Sequence, residues 1–259
     1  MTLPDRGKIF SEINAIADLA GAEIMKFSRG DIQVRQKADK SPVTAADVAA
    51  EKIIIAGLQK LTPNIPVVAE EEAAKGKVIQ VGDRPFWLVD PLDGTKEFIA
   101  HRDQFTVNIA LIENLSPTMG VVLAPALQTS YAADGRGTAV KRIGQNAPKS
   151  ISARPIPEKE VIVTASRSHG DINKIRDLIK DYAIANVVIS GSSIKFCMVA
   201  NGEADIYPRY GPTSEWDIAA GHAVLNAAGG SVKTLDGREM RYGKAKFLNP
   251  EFVAYGNQG

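Results

Sequence analysis

The chain has one cysteine (Cys197), three histidines and few aromatics, 6% of its 259 residues. A lone cysteine excludes an internal disulfide framework and suits a reducing compartment. So few thiols and imidazoles leave no zinc-binding spacing. The formal net charge of +1 supplies no field for nucleic acid or an anionic membrane. Long hydrophobic runs are also missing: Asp5, Arg6, Lys8, Glu12 and Asp18 interrupt the apolar positions near the start, so neither a signal peptide nor a spanning helix is expected. There is no internal repeat or low-complexity tract. What remains is an ordinary globular composition, 44% hydrophobic and 24% charged, in a chain long enough for one large domain or two packed lobes. The expected location is the cytoplasm.

Hydrophobic periodicity divides the chain. Ile9, Ile13, Ile16, Ala17, Ala20 and Ile24 predict a helix over 7–27, and a second runs from about Thr44 to Leu61 after an extended piece at Ile32 and Val34. Strands are expected at 65–69 and 86–89, through Phe105–Leu111, and in a hairpin of 119–124 and 128–133. From about 160 the rhythm alternates: strand 160–165, helix 171–182, strand 186–190, helix 193–201, strand 204–208, helix 214–228, then short strands near 231–234 and 251–255. The prolines and glycine at Gly144, Pro148, Pro155 and Pro157 mark a boundary. The expected lobes are an N-terminal α+β lobe, 1–147, and a C-terminal α/β lobe, 148–259.

The acids carry the chemistry. In Trp87–Phe98, WLVDPLDGTKEF, a buried apolar run stops at Asp90 and Asp93. Pro91 cannot continue a ladder, and Gly94 permits a tight turn. Two carboxylates at the end of a buried strand repel and resist desolvation, so a divalent cation is the economical partner. The Gly94 and Thr95 amides then lie where a phosphate could approach. The same residues also fit an ordinary polar turn. Glu70-Glu71-Glu72 follows another strand and reads equally as a solvated helix start. Asp217 can close a capping box on Ser214, and Asp47 can do so on Thr44.

Taken in order, KADKSPVTAAD (37–47), VVAEEE (67–72), WLVDPLDGTKEF (87–98) and GPTSEWDIAAGHAV (211–224) closely resemble the inositol-monophosphatase-like family of metal-dependent phosphatases. Lys96-Glu97-Phe98, SRSH (166–169) and GSSIKFCMVANGEADIYPR (191–209) look like its 3'(2'),5'-bisphosphate nucleotidase branch, of the bacterial sulfur-assimilation type. The resemblance implies a layered α/β/α/β/α sandwich with the metal site where two lobes meet. It implies hydrolysis of the 3'-phosphate of 3'-phosphoadenosine 5'-phosphate, two or three magnesium ions, sensitivity to lithium, and a monomer or homodimer, with peripheral inner-membrane association allowed by family resemblance.

Carried over position by position, the resemblance makes Glu70, Asp90, Asp93 and Asp217 metal ligands together with the Leu92 carbonyl, whose side chain belongs in the core. Thr95 and Asp47 orient the attacking water. Gly94, His169, Ser192, Lys195 and Arg209 contact the substrate along with Glu70, Asp93, Thr95 and Asp217. An all-oxygen donor set suits magnesium. Left to their local sequence, His169 is a turn residue, Lys195 a surface lysine and Cys197 a core residue. The acidic cluster has Glu72 where many relatives carry Asp or Ser, and Glu70 is chosen because it directly follows the strand. Alternatives are an inositol or sugar monophosphatase with the same metal core, and a catalytically silent nucleotide-binding protein on this fold.

Overall fold

The computed structural model describes residues 5–28, 30, 32–37, 41–77, 79–166, 172–180 and 182–259. Helix α1 (Arg6–Phe27) is capped by Asp5, whose carboxylate accepts the Gly7 amide at 3.2 Å. A small hairpin, β1 (Val34–Gln36) with β2 (Pro42–Thr44), leads into α2 (Ala45–Leu61). Then come β3 (Val67–Ala69), α3 (Glu70–Ala74), β4 (Phe86–Asp93) and α4 (Thr95–Ile99). The meander β5 (Thr106–Glu113), β6 (Ser116–Ala124), β7 (Thr129–Ala133), β8 (Ala139–Ile143) and β9 (Lys149–Ile151) completes a seven-stranded sheet in the order β3 to β9. Only the β3–β4 pair in it is parallel.

The second sheet has five strands. It is built from β10 (Glu160–Ala165), β11 (Ala183–Ile189), β12 (Ile206–Arg209), β14 (Ser231–Thr234) and β16 (Phe252–Tyr255), in the order β11-β10-β12-β16-β14. Between its strands lie α5 (Ile172–Leu178), α6 (Ile194–Ala200), β13 (Thr213–Ser214) and α7 (Glu215–Ala227). The short β15 (Leu248–Asn249) pairs with β13.

The side-chain alternation of β4 explains the layers. Trp87 and Val89 face α1 and α2 in one apolar core with Ile13, Ile54 and Ile109, while Phe86 and Leu88 face α7 in another with Val122, Val224 and Phe252. A third core packs Ile175 and Ile179 on Val161, Val163 and Ile206, at the far face of the five-stranded sheet. The result is helices, sheet, helices, sheet, helix: the layered sandwich that the resemblance implies. At Gly120, α7 presses so close that a Cβ would meet the Ala220 backbone at 3.0 Å.

Several boundaries differ from the sequence expectation. β4 does not stop at Val89 but continues to Asp93, with a register shift between Asp90 and Asp93, because Pro91 removes one ladder donor without ending the extended course. α5 ends at Leu178 and β11 begins at Ala183, three residues earlier than expected, as the β-branched run Ile184, Val187, Val188, Ile189 suits a strand. β8 and β9 are partly exposed, polar outer strands of the first sheet, a pattern that reads as linker in sequence. The described helices include none long and apolar enough to cross a membrane.

Candidate active site

The irregular end of β4 forms the floor of the site. The Leu92 amide turns back to donate to Asp90 Oδ1 at 3.0 Å, and the Leu92 side chain is buried in the core as expected. Gly94 follows at φ +93°, where a Cβ would also press within 3.1 Å of the Gln104 carbonyl, so glycine is needed twice over. α4 then starts at Thr95, placing it inside the first turn after Gly94 and not at the cap itself. Its hydroxyl lies 3.2 Å from both Asp47 Oδ1 and the Leu92 carbonyl oxygen and can donate to either.

Asp47 is presented by the first turn of α2. Its Oδ2 accepts the Thr44 amide at 2.8 Å and the Thr44 hydroxyl at 2.6 Å, while Oδ1 faces Thr95. One side chain therefore caps α2 and faces Thr95 at once. Burial raises its pKa above the ordinary carboxylate value. Asp217 has the same construction, with Oδ2 accepting the Ser214 amide at 2.8 Å at the start of α7. Glu70 opens α3 directly after β3, with Glu71 beside it.

These elements bring Glu70, Asp90, Asp93 and Asp217 close enough for their charges to couple. Burial, then Glu70, Asp93 and Asp217, push the Asp90 carboxyl well above its usual 3.8. Burial, then Asp93 and Glu70, do the same to Asp217. Asp93 is pushed up to about 6 by burial, against the opposing pull of Lys195, the Ser193 amide and Arg209. Lys37 bridges Glu70 at 2.5 Å and Glu71 at 2.6 Å. Its burial disfavours the ammonium, but the two glutamates more than offset that and hold its pKa above normal. With the acids in these positions, no three His, Cys, Asp or Glu side chains among the described residues converge tightly enough to enclose an ion. The donor chemistry nevertheless fits a hard cation: every group is an oxygen, several are buried, and the carboxylates resist ionising together.

Above this floor lies a cleft of about 770 Å³ lined by Lys37, Glu70, Asp90, Asp93, Thr95 and Asp217 among others. An adjoining pocket of about 180 Å³ shares Asp93, Gly94 and Asp217 and continues to Ser192, Lys195 and Arg209. Lys195 is not a surface lysine. It is 3% exposed, and its Nζ donates to the Ser190 carbonyl at 3.3 Å and to the Ser192 carbonyl, and sits 5.2 Å from the Tyr207 ring centre. Burial lowers its pKa to about 8, although Asp93 works the other way. Ser192 adopts φ +46°, and its hydroxyl is buried with no partner among the described residues. Arg209 reaches the Pro212 carbonyl at 3.2 Å, and its Nε has no partner among the described residues. His169 lies outside the described residues, as do residues 38–40 of the first motif.

Three residues that support the site come from the structure. Lys37 and Ser193 stood in the sequence only inside motifs, and Glu51 did not stand out at all. Glu51, one helical turn beyond Asp47, is buried and accepts the Glu71 amide at 2.7 Å, with burial pushing its pKa to about 7. Its spacing of four from Asp47 was the available signal.

Comparison with known proteins gives the family. The family model described as "Inositol monophosphatase family" matches residues 8–257. A 3'(2'),5'-bisphosphate nucleotidase CysQ of Salmonella typhimurium is 44% identical over 94% of this chain and 98% of its own length. The counterpart from Buchnera aphidicola is 38% identical over 95% of this chain and 93% of its own. The crystal structure of CysQ from Bacteroides thetaiotaomicron, a bacterial member of the inositol monophosphatase family, superposes with a TM-score of 0.80 at 35% identity, covering 97% of this chain and 98% of that one. With the layered fold, the acid-lined cleft and a match along almost the whole sequence, the chain belongs to the inositol monophosphatase family.

Proposed function

We propose that this protein is a magnesium-dependent phosphatase that hydrolyses the 3'-phosphate of 3'-phosphoadenosine 5'-phosphate, giving AMP and inorganic phosphate. The observation that carries the reading is the junction of the acid-lined cleft with a pocket holding Ser192, Lys195 and Arg209. A simple monophosphate needs only the first. A second phosphate needs fixed positive charge beside it, which Lys195 and Arg209 supply. The nucleotidases similar to this chain carry that bisphosphate specificity in their name.

Glu70, Asp90, Asp93, Asp217 and the Leu92 carbonyl would hold magnesium. Bound there, magnesium supplies positive charge against the phosphate oxygens and acidifies water. The chain's own groups do the rest. When Thr95 donates its proton to Asp47, the Thr95 oxygen is free to accept one from a water lying between it and the phosphorus. Burial favours proton uptake at Asp47. Attack in line displaces the 3'-oxygen, which takes a proton from solvent water in the open cleft; the phosphate keeps the attacking water's oxygen and second proton, and Asp47 returns the first to solvent. No covalent enzyme intermediate is needed. Lys195 and Arg209 hold the 5'-phosphate, and the Ser192 hydroxyl supplies a neutral donor there.

In this reading Asp217 and the nucleotide contacts come from the lobe 148–259 and the remaining metal ligands from 1–147. The single cysteine is fully buried, which fits the cytoplasmic location included in the proposal. The test is turnover of 3'-phosphoadenosine 5'-phosphate in water enriched in oxygen-18. The reading expects magnesium-dependent release, loss on EDTA addition, AMP as the nucleotide product and label in the phosphate. Label in AMP, or 3'-AMP as the product, would contradict it.

A further inference from the structure

Ser193 makes three of the contacts that join the segment carrying Ser192 to the first sheet. Its amide donates to Asp93 Oδ2 at 2.6 Å. Its hydroxyl lies 2.8 Å from Thr106 Oγ1 and 2.7 Å from Asn108 Oδ1, both on β5. Ser193, Thr106 and Asn108 are all buried. The bonds are mutually consistent, Thr106 donating to Ser193 and Ser193 to Asn108. Two residues earlier, the Gly191 amide donates to Gln104 Oε1 at 3.2 Å, and a Cβ on Gly191 would meet the Gln104 carbonyl at 2.7 Å. On its other side the segment is held by Lys195, through the Ser190 and Ser192 carbonyls.

A buried three-member polar chain is an expensive way to join two apolar surfaces, since each group must be satisfied or lose about 1–3 kcal/mol. An apolar contact would hold the layers together as well. What the polar chain adds is direction. It fixes one φ-positive residue, Ser192, and the lysine beyond it at a set distance from Asp93. We propose that Ser193 is a positioning residue for substrate choice: its hydroxyl, through Thr106 and Asn108, registers the second-phosphate pocket against the carboxylate floor. The inference rests on the bisphosphate reading above and adds a determinant whose hydroxyl acts through Thr106 and Asn108.

The test compares wild type, Ser193→Ala and Thr106→Val at saturating magnesium, on 3'-phosphoadenosine 5'-phosphate and on 4-nitrophenyl phosphate. Ser193→Ala keeps the amide that holds Asp93 and removes only the hydroxyl. The expected result is a KM for the bisphosphate raised about tenfold, the size of one buried hydrogen bond, with kcat/KM for 4-nitrophenyl phosphate within about threefold of wild type. Thr106→Val acts on the same contact, so it gives the same split and the double variant is no worse than the poorer single one. Amide hydrogen exchange over 190–195 also rises in Ser193→Ala, a readout independent of turnover. Equal losses on both substrates, or an unchanged KM in a folded variant, overturn the inference. If Ser193→Ala does not fold, Thr106→Val decides the question on the same criteria. A wild type with no preference for the bisphosphate overturns the nucleotidase reading instead, and unchanged exchange over 190–195 would then also remove Ser193 as the anchor of the segment.

Discussion

Asp93→Asn should make the metal-free protein more stable while destroying its function. In the folded protein the Asp93 carboxyl titrates at about 6 against an ordinary 3.8. A raised acid pKa means that the charged form is penalised in the folded state. The penalty is complete above the folded pKa and is relieved as pH falls from 6 toward 3.8. At pH 8 the difference corresponds to at most about 3 kcal/mol, and at pH 5 to roughly half of that. Asparagine removes the charge but keeps an oxygen for the Ser193 amide. Urea unfolding in EDTA should therefore show Asp93→Asn more stable than wild type at pH 8, with the gap narrowing toward pH 5. Saturating magnesium should close or reverse the gap, since binding at about a hundred times Kd adds roughly 2.7 kcal/mol to wild type. A variant equal to or less stable than wild type in EDTA at pH 8 would refute the reasoning.

Asp90→Asn should lower turnover by more than the ~10–100-fold that a supporting outer residue costs; near-normal activity of the folded variant would remove Asp90 from the site. Lys195→Ala should reduce kcat/KM for the bisphosphate by about 10–100-fold, the size of one charge-assisted hydrogen bond, and spare simple monophosphates in steady-state assays. His222 is buried on α7 with Nδ1 2.8 Å from the Tyr242 hydroxyl, and burial pushes its pKa down to about 3. The unfolded chain therefore takes up its proton first, and stability should fall as pH drops from 6.5 toward 3, by up to about 1.4 kcal/mol per pH unit. Denaturation at several pH values should show a shallower acid slope for His222→Gln than for wild type.

The sequence made much of the fold legible because α1 and α2 have strict apolar periods facing one core, and β5 alternates its apolar residues between two. Asp90 and Asp93 stood out because two acids ended an apolar run. Other features depend on partners distant in the chain. Asp47 and Asp217 look like ordinary caps until Thr95 and the other carboxylates are placed beside them. Lys195 follows a serine pair on a short helix, and nothing local shows that it is buried against Tyr207. Ser193 meets Asp93 across 100 residues, so no spacing could have announced it. β8 and β9 escaped because outer strands with one wet face carry weak hydrophobic patterns.

The most direct measurement is phosphate release at fixed magnesium from 3'-phosphoadenosine 5'-phosphate, inositol 1-phosphate and 5'-AMP, side by side. The account predicts strong preference for the bisphosphate, because it alone engages both the carboxylate floor and the Lys195–Arg209 pocket. Preference for inositol 1-phosphate, or equal rates on all three, would contradict it.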